Sequence, residues 1–136
     1  MDDNDISTEL AEQVRRAAED RIPLRIKGFD SKAFLGHVAD IQLLDLAPHR
    51  GIVRYEPTDL VMTVRAGTPL AEIEQVLADN GQMLAFEPPQ FDGDGSIGGA
   101  IASGLGGPRL PWGGAPRDLL LGVTLLDGTG RVLRFG

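Results

Sequence analysis

The sequence predicts a single α+β domain. Two segments, residues 7–20 and 68–80, carry the 3.6-residue apolar spacing of amphipathic helices, and short β-type segments lie between and after them. No internal repeat or low-complexity linker interrupts this interleaving of helices and strands. A chain of 136 residues with 42% hydrophobic content can bury one modest core.

The first half predicts one helix followed by four strands. Ser7 or Thr8 would cap the helix, Leu10 and Val14 lie on its apolar face, and it would end near Asp20. The strand segments alternate apolar and polar residues or are rich in β-branched residues. They are predicted at residues 23–27, 41–46, 51–55 and 60–66.

The second half predicts two helices and a terminal hairpin. Thr68 supplies an N-cap and Pro69 the first position of a helix that would end at Asn80-Gly81. Glu87-Pro88-Pro89 then forces a turn, because proline continues neither a helix nor a central strand. A short helix over residues 97–105, a strand over 119–126, a turn at 127–130 and a last strand over 131–135 complete the prediction.

Composition excludes several classes of function. A net charge of -7 repels nucleic acid and anionic lipid, so neither is predicted as a partner. The absence of cysteine excludes disulfides, iron–sulfur clusters and thiolate zinc sites in this chain, and two histidines, His37 and His49, predict no metal site. An acidic N-terminus and the lack of an apolar run of about 20 residues predict a cytoplasmic chain.

Residues 95–107 concentrate glycine, and backbone without Cβ atoms can approach a ligand closely. Ser96 would cap a helix there, and the first N–H groups of that helix, at Ile97, Gly98 and Gly99, would point at a phosphate or a ring carbonyl. This stretch predicts a site for a phosphate-bearing cofactor.

A second group of backbone donors is predicted where the strand over residues 23–27 enters a loop. The loop, residues 28–32, combines a glycine, a polar turn and a serine hydroxyl, and successive N–H groups in such a loop can form an anion-binding nest. Taken alone, the same residues are typical of a plain turn. Considered together with the glycine-rich stretch, residues 28–32 predict a second patch of backbone N–H groups. The two patches are expected to converge on one diphosphate.

Other patterns are weaker. Gly93, Gly95 and Gly98 have the spacing of the dinucleotide fingerprint, but prolines precede them where a buried strand is required, so NAD binding is rejected. Arg117-Asp118 is typical of a surface ion pair. No nucleophilic set or paired-carboxylate site is recognisable, so the catalytic residues are unknown and a cofactor would carry any chemistry.

Several segments, taken in order, resemble the FAD-binding domain of the vanillyl-alcohol oxidase and p-cresol methylhydroxylase (PCMH) type. These are residues 23–28, 59–70, 87–89, 96–99 and 112–123. Within that family, residues 27–36, 49–53 and 107–112 are similar to the FAD-binding E subunits of glycolate oxidase. The resemblance covers about residues 10–136.

The resemblance implies two α/β subdomains with FAD between them, approximately residues 1–67 and 68–136, the second incomplete because the chain is truncated at its C-terminus. It implies non-covalent FAD, because neither His37 nor His49 falls where relatives attach the flavin. The cofactor-binding residues that it implies are Gly28, Phe29, Asp30, Ser31, Lys32, Pro88, Ser96, Ile97, Gly98, Gly99, Ala102, Ser103, Gly104, Arg117, Asp118 and Val123.

The resemblance further implies an oxidoreductase subunit that takes part in the oxidation of glycolate, a small 2-hydroxy acid, to glyoxylate. Electrons would pass to a second flavoprotein subunit and an iron–sulfur subunit, and the complex would bring this cytoplasmic chain peripherally to the inner membrane. We expect the segment alone to be inactive. Two alternatives stay open: a non-catalytic assembly or docking module that keeps the flavin-binding fold, and a segment that binds no ligand.

Overall fold

A computed structural model describes residues 4–37, 41–91 and 95–136 of the chain. Gly93 of the fingerprint considered above, and the first three residues, lie outside these ranges. The helices are α1 (Ser7–Glu19), α2 (Leu70–Asp79), α3 (Ile97–Ser103) and α4 (Leu110–Gly113). The strands are β1 (Leu24–Lys27), β2 (Gln42–Asp45), β3 (Ile52–Glu56), β4 (Val61–Val64), β5 (Val123–Leu126) and β6 (Val132–Phe135).

The six strands form three separate pairs. β1 and β2 are parallel, with Leu24 opposite Gln42, whereas β3–β4 and β5–β6 are antiparallel. A parallel pair cannot be closed by a tight turn, so a long connection must leave the carboxyl end of β1 and return to the start of β2. The loop of residues 28–32 is the beginning of that connection.

Two apolar clusters form the core. The first joins α1 to the parallel strand pair and consists of Leu10, Val14 and Leu44, with Ile6, Leu24, Leu46 and Leu126 packed against it. The second joins α2 to α3 and consists of Leu70, Phe86 and Ala100, with Leu84, Ile97 and Ile101 packed against it. Burial of these side chains is the main favourable contribution to folding.

The terminal hairpin packs against the first helix. Leu126 of β5 contacts the first cluster, and Gly130 in the hairpin turn lies so close to α1 that a Cβ atom there would be 2.7 Å from the Ala11 carbonyl oxygen. The last strands therefore contact the first helix, far away in sequence. The division of the chain near residue 67 stays a prediction.

Most predicted elements are confirmed, but both predicted N-caps of the longer helices are wrong. The Ser7 N–H donates to Asp5 Oδ1 at 2.9 Å, so the side chain that serves the start of α1 is an aspartate outside the helix. Thr68 makes no cap to α2; its buried hydroxyl donates to the Arg65 carbonyl at 2.7 Å and accepts the Gly51 N–H at 2.9 Å. The bond to Gly51 ties the start of β3 to the segment between β4 and α2.

Three short helical turns within the described ranges were not predicted. They are α4 and the 3-10 turns Ala33–Leu35 and Pro116–Leu119. Elements of three or four residues are too short to show an apolar period. The last of these turns includes Leu119, where the strand over residues 119–126 was predicted to start. The observed strand begins at Val123. Across the three described ranges, no helix combines the length and apolarity that crossing a bilayer requires.

Gly98 lets α3 press against the chain that leads into α2. Its N–H donates to the Ala66 carbonyl oxygen at 2.9 Å, and a Cβ atom at Gly98 would lie 2.7 Å from that oxygen and 2.8 Å from the Ala66 Cβ. These separations are shorter than van der Waals contact, so the close approach requires a residue without a side chain.

We expect Gly98→Ala to lower the free energy of unfolding by about 1–2 kcal/mol, because the overlap with Ala66 outweighs the better helix propensity of alanine. Denaturant unfolding of the full chain measures the change. Gly128→Ala is the matched control, since a Cβ there meets nothing within 4 Å, and it should change stability by less than about 0.5 kcal/mol. Equal losses in the two variants would contradict this account of the packing.

The hairpin turn between β5 and β6 is organised by the carboxylate of Asp127. Its Oδ1 accepts the N–H groups of Arg131 at 2.9 Å and Thr129 at 2.8 Å, and Oδ2 accepts from the Arg131 guanidinium at 2.8 Å. The Arg131 N–H, followed by the Thr129 hydroxyl, holds the pKa of Asp127 well below its ordinary value.

A depressed carboxyl pKa stabilises the fold above the unfolded pKa of 3.8, and the contribution disappears as the pH falls through the lower folded pKa. We therefore expect Asp127→Asn to be less stable than wild type at pH 7, with the gap closing between pH 4 and lower values. Urea unfolding at several pH values measures this. Asp59→Asn is the control, because the Asp59 carboxylate makes no hydrogen bond or ion pair with a described residue. A gap that is constant with pH would refute the assignment.

Candidate functional site

The loop at the carboxyl end of β1 presents a row of backbone donors. The N–H groups of residues 28–32 donate no hydrogen bond to any residue that the structure describes. Asp30, in the middle, has a φ of 62°, and the Ala33 N–H donates to its carbonyl oxygen at 3.0 Å, which closes the turn. Successive open N–H groups in a turn of this kind form an anion-binding concavity. The loop thus fits a phosphate group, as the sequence predicts.

Charged side chains surround this loop. Arg25 Nη2 forms an ion pair with Asp30 Oδ2, and both side chains are partly buried. Lys32 Nζ lies 5.9 Å from the centre of the Phe91 ring, within the range of a cation–π contact. The Phe91 ring also meets Phe34 edge to face, with centroids 4.9 Å apart. Phe91 therefore connects the loop after β1 to the segment that follows Phe86.

The two predicted donor patches adjoin each other. A Cβ atom at Gly28 would lie 2.9 Å from Ser96 Oγ, so these two residues are in direct contact. Two backbone bonds fix the position of Ser96: the Leu70 N–H donates to Gly95 O at 2.8 Å, and the Ile97 N–H donates to Thr68 O at 3.0 Å. Residues 28–32 therefore adjoin the start of the glycine-rich stretch at Ser96, and the binding of one diphosphate by both patches stays a prediction.

The start of α3 differs from the expectation. Ser96 does cap the helix, since its Oγ accepts the Gly99 N–H at 3.2 Å. However, the Ile97 N–H is taken by Thr68 O and the Gly98 N–H by Ala66 O, at 3.0 and 2.9 Å. The expectation that these three N–H groups point at a ligand is therefore wrong, because each has an acceptor within the protein.

Much of the glycine-rich stretch serves internal packing. Cβ atoms at Gly107 and Gly113 would overlap the carbonyl oxygens of Glu87 and Ala85, and the Glu87 N–H donates to Gly106 O at 3.1 Å. The glycines let residues 106–113 lie directly on residues 85–87. A glycine-rich stretch indicates that a neighbouring group approaches the backbone closely. The sequence alone does not distinguish a ligand from another part of the chain as that neighbour.

The later residues of α3 also have local structural roles. The Ser103 hydroxyl donates to Ala100 O at 3.1 Å, and Gly104 ends the helix in a left-handed conformation with a φ of 65°. Ala102 is exposed and Pro88 is buried. Gly104 also borders a shallow depression of about 170 Å³, together with Ile101, Ala115, Pro116, Arg117 and Leu120.

The predicted residues near the C-terminal hairpin lie apart from the loop. Arg117 and Asp118 form a loose surface pair, with Nε and Oδ1 3.7 Å apart, and Asp118 Oδ2 accepts the Ala115 N–H at 3.1 Å. Val123 is exposed on β5. Within the described ranges, no hydrogen bond or ion pair joins these three residues to residues 28–32.

Phe34, Phe91 and Arg25 were not among the predicted site residues. Phe34 and Phe91 are 57 residues apart in sequence, and no local pattern predicts a contact of that kind between two exposed or half-buried aromatic residues. The sequence does carry one signal for Arg25: a basic residue on the strand that leads into the loop, five residues before the loop aspartate.

Comparisons with known proteins agree on the cofactor. The model of the FAD binding domain family matches residues 7–136. Glycolate oxidase subunit GlcE of Escherichia coli (strain K12) is 52% identical over 132 residues, which are 97% of this chain and 38% of that protein. D-lactate dehydrogenase (cytochrome) 1, mitochondrial, of Saccharomyces cerevisiae is 30% identical over 96 residues, which are 68% of this chain and 16% of that protein.

A D-lactate dehydrogenase of Anaerostipes hadrus is 24% identical over 94% of this chain and 27% of its own length. The chain spans well under half the length of the curated relatives that it matches. The matches confirm the predicted resemblance, the α+β fold class of the PCMH type and FAD as the cofactor. The chain belongs to the FAD binding domain family.

Proposed function

We propose that this chain is the FAD-binding part of an oxidoreductase subunit that takes part in the oxidation of glycolate to glyoxylate. The observation that carries the proposal is the loop of residues 28–32, whose five N–H groups are open and which adjoins Ser96. The 52% identity to a glycolate oxidase subunit supports the choice of substrate among 2-hydroxy acids. A pure docking module is not favoured, because it needs no open donors.

Residues 28–32 hold the diphosphate of FAD in this proposal. Their N–H groups donate to phosphate oxygens, and the Lys32 ammonium supplies a compensating positive charge. Ser96 lines the same site through its hydroxyl. In this proposal the flavin and adenine portions of FAD lie near the other predicted residues, namely Pro88, Ile97, Gly98, Gly99, Ala102, Ser103, Gly104, Arg117, Asp118 and Val123. The N–H groups of residues 97–99 do not bind FAD, because they bond within the protein.

FAD, when bound, supplies a two-electron acceptor for the oxidation of an alcohol to a carbonyl group. The residues described above bind and orient the cofactor. Its attachment is non-covalent in this proposal. That proposal rests on the sequence, because neither His37 nor His49 lies in the loop of residues 28–32 or in the glycine-rich stretch.

The proposal includes partner subunits, since the relative of highest identity above is named as a subunit. A second flavoprotein subunit and an iron–sulfur subunit would receive the electrons. The lack of cysteine in this chain supports the placement of any cluster in a partner. The chain would be cytoplasmic and would reach the inner membrane peripherally, through the complex.

We expect Gly28→Ala to weaken FAD binding roughly 10-fold, equivalent to about 1.4 kcal/mol. The new Cβ would lie 2.9 Å from Ser96 Oγ and would displace either the loop or the serine. Quenching of flavin fluorescence during titration of the full chain measures the dissociation constant. Gly36→Ala is the matched control in the same connection, because it has open space and an extended φ of -139°, and should bind like wild type.

If the wild-type chain failed to quench FAD at saturating concentration, the proposed function would be wrong. If Gly28→Ala bound FAD as tightly as wild type, the loop would not be part of the FAD site, although the chain would still bind FAD.

The substrate is tested by anaerobic reduction of FAD bound to the assembled complex. Glycolate should bleach the flavin absorbance band, whereas D-lactate, the substrate named for two of the relatives, should do so more slowly at equal concentration. Faster reduction by D-lactate would replace glycolate in the proposal and leave the FAD site unchanged. A complex that assembles with this chain, yet shows no flavin attached to it, would revive the docking alternative.

A further inference from the structure

We propose that Arg25 is a positioning residue of the diphosphate loop: it holds and neutralises the Asp30 carboxylate, and so keeps the loop able to accept an anion. The inference rests on the proposed function, since it concerns how the same loop receives the diphosphate of FAD. It adds a residue outside the loop and gives Asp30 a role different from direct contact with the cofactor.

Asp30 presents a physical conflict in an anion-binding loop. Its φ of 62° lies in the left-handed region, which glycine, asparagine and aspartate occupy most readily. Of these three residues only aspartate brings a negative charge, and here it stands between open N–H groups on either side. An uncompensated carboxylate at this position would repel a diphosphate held by the same loop.

Arg25 removes that conflict. Its Nη2 contacts Asp30 Oδ2, and the two side chains are 20% and 34% exposed, so water and salt screen this pair less than the ion pair of Arg54 and Glu56, at 71% and 45%. Arg25 lies within β1, opposite Leu43 of β2, so the guanidinium extends from a strand that is held in place by backbone pairing with its neighbour. The pair thereby fixes the direction of the carboxylate relative to the sheet.

The remaining charges of this region are then favourable. Lys27 precedes the loop and Lys32 is its last residue, and neither forms an ion pair with a residue that the structure describes. With Asp30 compensated by Arg25, these two ammonium groups are left to attract an anion. Arg25 thus acts through Asp30, and the proposal assigns it no contact with the cofactor.

The test is a double-mutant cycle on the full chain, with the FAD dissociation constant as the readout. Arg25→Met should weaken binding about 10-fold, because Asp30 is left uncompensated. Asp30→Asn should bind more tightly than wild type, because it removes the carboxylate and keeps the Arg25 charge, and asparagine also adopts the left-handed conformation. The variant that carries both changes should return to within about 3-fold of Asp30→Asn. Added salt should narrow the gap between Arg25→Met and wild type, because it screens the repulsion.

Arg54→Met is the matched control, because it removes an arginine of an exposed ion pair on β3 and should leave the dissociation constant unchanged. Thermal unfolding of each variant checks the fold. If Arg25→Met does not fold, Arg25→Lys replaces it. Lysine keeps the positive charge but lacks the planar guanidinium, so we expect FAD affinity to fall by only about 3-fold. Adding Asp30→Asn should again restore the affinity.

Wild-type affinity in Arg25→Met would overturn the inference. So would a loss that Asp30→Asn does not rescue, because Arg25 would then act on the cofactor directly or only on the fold. Both results presuppose that the wild-type chain binds FAD. Absence of binding by wild type would overturn the proposed function itself, and is thereby distinguished from failure of this inference.

Discussion

Two backbone hydrogen bonds between residues 68–70 and residues 95–97 determine how the site is assembled. The Leu70 N–H donates to Gly95 O, and the Ile97 N–H donates to Thr68 O. They align the start of α2 with the start of α3 and bring Ser96 beside Gly28. Because buried backbone groups must find partners, the alignment satisfies these groups and positions the site at the same time.

The loop after β1 and the glycine-rich stretch both expose backbone, but they use it differently: the loop offers open N–H groups, and the stretch allows close packing. In residues 28–32 the N–H groups are open, whereas at the start of α3 they bond to carbonyl groups of Thr68 and Ala66. Where the donors of a helix are used internally, its glycines permit close packing and add no binding capacity. In the proposed site the backbone donors are therefore those of the loop, and α3 packs beside the loop through Ser96.

Sequence patterns predicted the parts of the fold that rest on local chemistry. The apolar spacing of α1 and α2, the stop at Asn80-Gly81 and the turn at residues 127–130 were all recognisable, because each depends on residues close together in the chain. The site was predicted in part: the loop and its meeting with Ser96 were found. The acceptors of the Ile97 and Gly98 N–H groups and the Phe34–Phe91 contact were not, because they join residues about 30 to 57 positions apart.

The net negative charge of the chain would, by itself, repel a cofactor that carries a diphosphate. A net charge of -7 produces a repulsive field, but charges beyond about 8 Å are largely screened at physiological ionic strength. What matters is the local balance, and residues 25–32 contain Arg25, Lys27 and Lys32 against Asp30 alone. Asp5, by contrast, is paired with Arg65 at 3.1 Å, near the start of α1. In the proposed site, local cations and open N–H groups therefore govern binding, and the overall charge suppresses non-specific contact with polyanions.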